Sequence, residues 1–434
     1  MIFIVEVIIV LNAIIGILLL ITFIGLVVYV MKGGNIMIGF LVMSILWAII
    51  GGIPINTAVN DIFSKSAEAY GATIVVIVFG SWFGRVLVDT GIASDISQQT
   101  VRVSYKNPII ALILICLVTA FIFTSSYGVG AVIAIAVILL PIMESLGVKK
   151  NIAVTLFVMS IGAPMYVNIV IIKQIQLFFP KVAYGPRYLT WAFAAMGAQM
   201  LVVLLIILLN ARSIHRNETK QPVIDKSNHQ HHISKITYIL PILPVIMNIA
   251  FKWQPIPGLM LSIFLALLLT GHINGYKKSL DFVNQTITTS IKDITGLIIM
   301  LLFLAMFSAT AVKVTARFSK LFSAIIPRDP VIIAIAFAIL APLALFRGPL
   351  MVWGAGSATA AVLAGTGFFN QYFAFALIIV PAVSMAVSCC ITQSWNLWVV
   401  NHVHLDVKTF LKTGIPYGWL ACALNLALAV MMLA

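Results

Sequence analysis

Two apolar stretches, 108–143 and 330–364, constrain the fold of this chain more than any other feature. Each is about 35 residues long, so a straight helix of that length would reach about 50 Å, well beyond a bilayer core of about 30 Å. Each is also interrupted near its middle, by Thr124, Ser125, Ser126, Tyr127 and Gly128 in the first and by Phe346, Arg347, Gly348 and Pro349 in the second. A half of about 15 residues is short for a crossing of its own. The pattern predicts two re-entrant helical hairpins, each entering from one face and returning to it. Irregular backbone at that depth is tolerated only where protein or a water-filled cavity satisfies its free N–H and C=O groups. The hairpin tips are therefore candidate sites.

The surrounding chain fits a lipid environment. Of 434 residues, 62% are hydrophobic and 9% charged, against about 25% charged in soluble domains. Apolar windows at 3–31, 36–54, 70–92, 150–172, 189–210, 236–251, 257–276, 294–312, 372–400 and 414–433 predict ten crossings in an all-α polytopic membrane protein. The first window is too long for a signal-peptide core. The polar segment 211–235, with His229, His231 and His232, reads as a solvated loop between two halves rather than a metal site. Cys116, Cys389, Cys390 and Cys422 all sit in apolar surroundings, and their spacing fits neither a disulfide framework nor zinc.

A shift of 222 residues places Pro108 on Pro330 and Ser125 on Arg347. Both halves run span, charged linker, hairpin, long interrupted span. Five spans separate the start of one repeat from the start of the next, and an odd number gives the repeats opposite orientation. Inverted repeats with discontinuous helices meeting near the midplane are the mark of secondary transporters. Fifteen Lys and Arg fall on one side of this topology against nine on the other, so the net charge of +14 reads as orientation and not as nucleic-acid binding. The expected organisation is scaffold helices and first linker over 1–104, a first transport half over 105–210, loop, scaffold helices and second linker over 211–328, and a second transport half over 329–434.

After each hairpin comes a span broken by small and polar residues. The first carries Ser160, Gly162, Pro164 and Asn168; the second carries Ser384, Ser388, Thr392, Gln393 and Asn396. Pro164 removes a helix N–H and so gives the first break a cause. Helix N-termini at the tips and breaks offer free N–H donors and partial positive charge to an anion, although Ser and Thr also commonly bond back to their own helices. Arg347, in an otherwise uncharged run, either grips a substrate carboxylate with its planar fork or serves as a structural pair or snorkel. Candidate substrate-binding residues are Thr124, Ser125, Ser126, Ser160, Asn168, Arg347, Gly348, Ser357, Thr392, Gln393 and Asn396. For a coupling ion the candidates are Asp89, Ser125 and Ser388, with Asp89 four residues after Arg85 and in position to pair with it. Gly80 and Gly84 form a GxxxG for close helix packing. HExxH, GxSxG and P-loop motifs are absent, which argues against an enzyme and against ATP-driven transport. No cofactor beyond a coupling proton or sodium ion is expected.

Several segments resemble the ion transporter superfamily, especially its gluconate permease and citrate-metal symporter families. They are FGSWFGRVLVDTGIASDI from Phe79, TSSYGVG from Thr124, SIGAPMYVN from Ser160, AGSATAAV from Ala355 and TQSWNLWVVNHVHLDVKTFLKTG from Thr392. Over most of the chain these follow the family order of tip, break and ending. The resemblance implies a scaffold plus a mobile transport domain moving as an elevator, a homodimer, and cotransport of an organic anion with protons or sodium. By position, Ser125, Ser126, Ser160, Asn168, Ser357, Thr392 and Asn396 match family site residues. The Ser-Asn-Thr tip of related dicarboxylate symporters is replaced here, so their sodium sites do not carry over. The expectation is a plasma-membrane carrier of a sugar acid such as gluconate, or of a di- or tricarboxylate such as citrate. The alternatives are a cation/proton antiporter, which would need Asp89, and a passive anion channel.

Overall fold

The computed structural model describes residues 2–32, 34–103, 107–216, 234–315 and 326–434. The His-rich loop and most of the second charged linker lie outside them. The chain is all-helical among these residues. Three helices come first: α1 (Ile2–Met31), α2 (Ile36–Ile50) and α3 (Lys65–Asp89), the last preceded by a π-helical turn (Thr57–Ser64). The linker helix α4 (Ile92–Val103) leads to the first hairpin, α5 (Pro108–Phe123) and α6 (Val129–Ser145). The broken helix follows as α7 (Lys150–Gly162), a 3₁₀ turn (Ala163–Tyr166) and α8 (Ile169–Ile175), and then the long α9 (Pro186–Arg216).

The same order recurs. A 3₁₀ segment (Lys235–Ile242) with α10 (Leu243–Phe251), then α11 (Pro255–Leu269) and α12 (Tyr276–Thr315), precede the second hairpin. That hairpin consists of α13 (Pro330–Ile339), a 3₁₀ segment (Ala341–Arg347) and α14 (Gly356–Thr366). The second broken helix is α15 (Gln371–Pro381), a π turn (Ala382–Val387) and α16 (Ser394–His402), and α17 (Val407–Leu433) closes the chain.

Both hairpins start on the same device. Asn107 and Asp329 occupy equivalent N-cap positions, each accepting hydrogen bonds from two following N–H groups, and Pro108 and Pro330 begin the helices where no N–H is needed. Proline also bends the second hairpin. Pro342 leaves the Ala338 carbonyl without its helical donor, and the Trp419 indole supplies one at 2.6 Å, across a kink of 54°. The first broken helix turns by 65° between its two halves, with Pro164 inside the break.

Side-chain contacts establish that the hairpins double back. Cys116 lies beside Ser160, and the Asn168 amide donates to Phe123 and Ser126 carbonyls, so α5 and α7 run in parallel toward tip 1. Because only a short link joins α6 to α7, α6 must return to the side from which α5 started. The second repeat obeys the same logic through α17: Ala338 meets Trp419, Val331 lies beside Val430, and Asn370 reaches Leu433. Helices α13 and α15 therefore both run against α17 and parallel to each other, and α14 returns.

The repeats are inverted. Tyr166 meets Ser384 at 2.7 Å, and a Cβ on Gly162 would touch Ser388, so α7 and α15 cross antiparallel at their breaks. Lys150 at the start of α7 donates to Val403 at the end of α16, while Gln371 at the start of α15 accepts from Lys181 beyond α8. Packing repeats accordingly: α2 lies on α12 and α11 on α3, α5 on α9 and α13 on α17. Helices α3 and α12 cross each other through Ser81 to Ser290 and Trp82 to Thr286.

The ten expected crossings take a different form. Among the described residues four helices are long and apolar enough to cross a membrane, Thr57–Asp89, Pro186–Arg212, Tyr276–Val314 and Val407–Leu433, or six if each bent pair counts as one span. Windows 36–54, 236–251 and 257–276 become shorter apolar helices of 10–17 residues. Helix-breaking residues explain this: Gly51 and Gly52 end α2, Pro241 and Pro244 interrupt the segment before α11, and Thr270 and Gly271 end α11.

Candidate functional site

A cavity of about 400 Å³ lies where the two repeats converge. Tip 1 contributes Tyr127, Gly128 and Val129, α8 contributes Ile171 and Gln174, and tip 2 contributes Arg347 and Trp353. The second break adds Val387, Gln393, Ser394 and Trp395, and the start of α2 adds Ile36 and Met37. Helix α12 closes the cavity with Asp293, Ile294, Gly296, Leu297 and Met300.

Arg347 is the cation of this cavity. It and Phe346 are consecutive non-glycine residues with left-handed backbone, at φ +63° and +52°, a conformation that costs about 1–3 kcal/mol per residue and persists only where the surroundings enforce it. The enforcement is visible. Phe346 N–H donates to Cys390 Sγ at 3.2 Å, and the guanidinium donates through NH1 to the Trp353 carbonyl (2.9 Å) and through NH2 to the Thr392 carbonyl (3.1 Å). Ala355 N–H and Gly356 N–H close the loop onto the carbonyls of Arg347 and Gly348. Gly348 makes this winding possible, since a Cβ there would lie 2.1 Å from the Leu343 carbonyl oxygen.

Arg347 thus latches tip 2 to its own broken helix, as Asn168 latches tip 1. The Asn168 amide spends both N–H groups on Phe123 and Ser126 carbonyls at 3.0 Å, and its oxygen caps α8 at Val170 N–H. Asn168 is fully used. Arg347 is not: three of its five N–H donors are left over, and the two bonded partners are neutral carbonyls. Among the described residues the ion pairs are Lys65 with Asp61 and Arg85 with Asp89, so no carboxylate neutralises Arg347.

Other polar groups of the cavity also lack partners. The indole N–H groups of Trp353 and Trp395 are buried without a hydrogen bond among the described residues, and the buried Gln174 amide lies beside the Tyr127 side chain without a bond of good geometry. Unmet buried polar groups cost about 1–3 kcal/mol each, and here they share one cavity with a guanidinium.

The remaining predicted residues divide. Gln393 lines the cavity, and Thr392 adjoins it, its carbonyl holding Arg347 and its hydroxyl lying 3.1 Å from Cys390 Sγ. Thr124 and Ser125 face the opposite side of tip 1, beside Pro244, Val245, Asn248 and Leu259. Ser126 is buried against α3, where a Cβ on Gly84 would lie 2.8 Å from its Oγ and 3.0 Å from Tyr127 N. Gly80 gives Val170 similar room, so the GxxxG packs α3 onto tip 1 and α8. Ser160 is fully buried beside Cys116. Ser388 is held by Gln199 and the Val383 carbonyl, Ser357 bonds Gly354, and Asn396 donates to Val387 and Cys390 carbonyls, bracing the second break. Asp89 is paired with Arg85 at 2.7 Å.

Gln174, Tyr127, Trp353, Trp395 and Asp293 lie in the cavity without having been picked out by sequence reasoning. The usable signal was the rare polar or aromatic residue within two or three positions of a break or tip.

All-helical architecture, paired hairpins, crossing broken helices and several helices apolar enough to cross a membrane define the fold among the described residues. Among solved structures the chain is similar to the Alcanivorax borkumensis YdaH transporter, whose topology is described as unusual, with a TM-score of 0.67 and 13% sequence identity over 91% of this chain and 98% of that one. At that identity the likeness is one of fold. No family model and no curated protein matches the chain, so the likeness supports the expected fold class and leaves the gluconate permease and citrate-metal symporter families unshown.

Proposed function

We propose that this protein is a secondary active transporter of an organic carboxylate, coupled to a cation. One observation carries the reading: Arg347, without a carboxylate partner, shares a cavity at the meeting of both repeats with the unpartnered indole donors of Trp353 and Trp395 and the amide of Gln174. A guanidinium with spare N–H groups in a low-dielectric site selects a carboxylate strongly. Residues 105–210 and 329–434 form the moving body in this reading, and the remaining helices the scaffold, in an elevator-type homodimer of the plasma membrane.

The lining bears on which acid. Tyr127, Ile171, Ile294, Leu297, Trp353 and Trp395 give a polyol few acceptors for its hydroxyls, each of which costs free energy to bury unbonded. An acid with an apolar body fits these walls better than gluconate or citrate. The test is a thermal-shift panel on purified protein with gluconate, citrate, succinate, benzoate and phenylacetate, followed by counterflow in proteoliposomes. Stabilisation by at least one acid is expected, with accelerated exchange of the same acid. A panel with no shift sinks the carboxylate reading, and flux without counterflow makes the protein a channel.

A further inference from the structure

The cavity contains one carboxylate as well as one guanidinium. Asp293 sits on α12, with its side chain exposed, on the wall contributed by the scaffold. It forms no ion pair with Arg347 or with any other described residue. A carboxylate that lines a cavity at the meeting of the two repeats without a charge partner is a candidate functional position.

The charges around Asp293 can be enumerated by element. From α3, Arg85 and Asp89 lie within electrostatic reach but neutralise one another at 2.7 Å. Helix α2 presents Ile36 and Met37, tip 1 presents Tyr127, and tip 2 presents Arg347. Helix α14, also packed on α12, has no titratable side chain over Gly356–Thr366. On α12 itself Lys292 is exposed and does not line the cavity. Lys173, next to Gln174, is likewise absent from the lining, and the Asp61–Lys65 pair lies toward the far end of α12, near Lys313.

With Arg347 and Asp293 both charged, the lining of the cavity carries no net charge. A substrate carboxylate on Arg347 changes that balance: it cancels the guanidinium and leaves two carboxylates in a space of about 400 Å³. Like charges at such range cannot both stay ionised cheaply, and one takes a proton. Arg347 holds the substrate in its ionised form, so the proton goes to Asp293.

We propose, resting on the carboxylate reading above, that Asp293 is the proton carrier: binding of the substrate anion is linked to protonation of the Asp293 carboxylate, which makes the transporter a proton symporter. The proton comes from water on the face to which the cavity opens, the only bond made and broken is the Asp293 O–H, and symport requires that the carboxylate open to water on the far face once the moving body has carried Arg347 and the substrate away. Because the carboxylate belongs to the scaffold wall, it faces the substrate only while the moving body presents Arg347 to it.

The experiment measures binding of the same five acids to the detergent-solubilised protein between pH 6 and 9, with a pH-indicator dye in weak buffer to count protons. In the wild type, the affinity of each acid that binds falls by about tenfold per pH unit in the upper part of the range, and binding turns the medium alkaline. Asp293→Asn binds with an affinity that no longer varies with pH, and an imposed proton gradient no longer drives accumulation in its proteoliposomes. Proton uptake by the wild type decides the matter even if the variant fails to fold. Binding without proton uptake overturns the proposal. So does a variant that loses affinity at pH 6, which would mean that Asp293 pairs with a cationic group of the substrate. If no acid binds the wild type at any pH, the carboxylate reading itself has failed and this proposal falls with it.

Discussion

Arg347 has two roles, and they respond oppositely to substitution. As a latch it makes two charge-assisted bonds, to Trp353 and Thr392 carbonyls, each about 1.5–3 kcal/mol. Arg347→Gln keeps one such bond at most, and so loses about 2–4 kcal/mol of tip docking. Removing the charge also relieves the cost of holding it half-buried in a membrane site, several kcal/mol on the same scale. The two effects nearly cancel, leaving the unliganded variant within about 2 kcal/mol of the wild type, a shift of a few degrees in Tm. Arg347→Lys retains the burial cost without the fork, so it is the less stable variant. Affinity follows the other order. Losing a buried charge partner costs the bound carboxylate about 2–5 kcal/mol, or about 30-fold to several thousand-fold in Kd, whereas lysine keeps the attraction and gives up only bidentate geometry. Thermal unfolding without ligand should therefore rank wild type, Gln, Lys, and binding of the stabilising acid should rank wild type, Lys, Gln. If the two rankings coincide, Arg347 acts only through the tip, and the argument for carboxylate binding fails.

The symmetry of the latches supplies a contrast. Asn168→Ala removes two tip bonds and the cap of α8, at about 2–4 kcal/mol together; hydrogen exchange should rise over residues 121–130, and Asn168→Asp, which turns an acceptor toward two carbonyls, should not rescue it. Gly84→Ala places a Cβ against Ser126 Oγ and Tyr127 N, an overpacking of about 1–3 kcal/mol less about 1 kcal/mol of helix propensity gained. Tip 1 amides should exchange faster while the Tm changes by a degree or two, and an unchanged exchange rate at Tyr127 would show that tip 1 does not rest on α3.

Length together with the mid-stretch interruptions was enough to read the hairpins, because each half is short for a crossing of its own, whereas the inversion was read from a count of five spans of which the structure shortens two. Facing was harder. Thr124 and Ser125 are three residues from Tyr127 and Gly128, yet a tight turn sends them to opposite sides, and composition contains no record of which side meets the cavity. Asn168 reads as a binding residue by type, but its donors are consumed by carbonyls freed at tip 1, a demand set by a segment about 40 residues earlier in the chain. Asp293 was hidden by helix length. The 40 residues of α12 would reach about 60 Å, so hydropathy cannot say which half lies at membrane depth, and the apolar window begins one residue after this carboxylate. The folded chain places it in the cavity lining, with Ile36 and Met37 at the start of α2.

The distribution of hydrogen bonds suits the two-body motion proposed above. Each tip is bonded to its own broken helix, through Asn168 in one repeat and Arg347 and Phe346 in the other. The broken helices are bonded to each other and to the long helices behind them, through Tyr166 with Ser384, Gln199 with Ser388 and Asn370 with Leu433. Against α3, by contrast, tip 1 and α8 rest on Gly80 and Gly84, a contact of shape without donors. A bond that does cross the seam, from Thr124 Oγ1 to the Pro241 carbonyl, is long at 3.2 Å and shared with Phe121 at 2.7 Å, so releasing it leaves the hydroxyl satisfied. Sliding along such a seam exchanges one apolar contact for another and breaks little polar bonding, whereas pulling a hairpin from its broken helix strands several buried donors at about 1–3 kcal/mol each. The body that travels in the proposed cycle is therefore both hairpins and both broken helices together, and Arg347 travels with it while Asp293 stays behind.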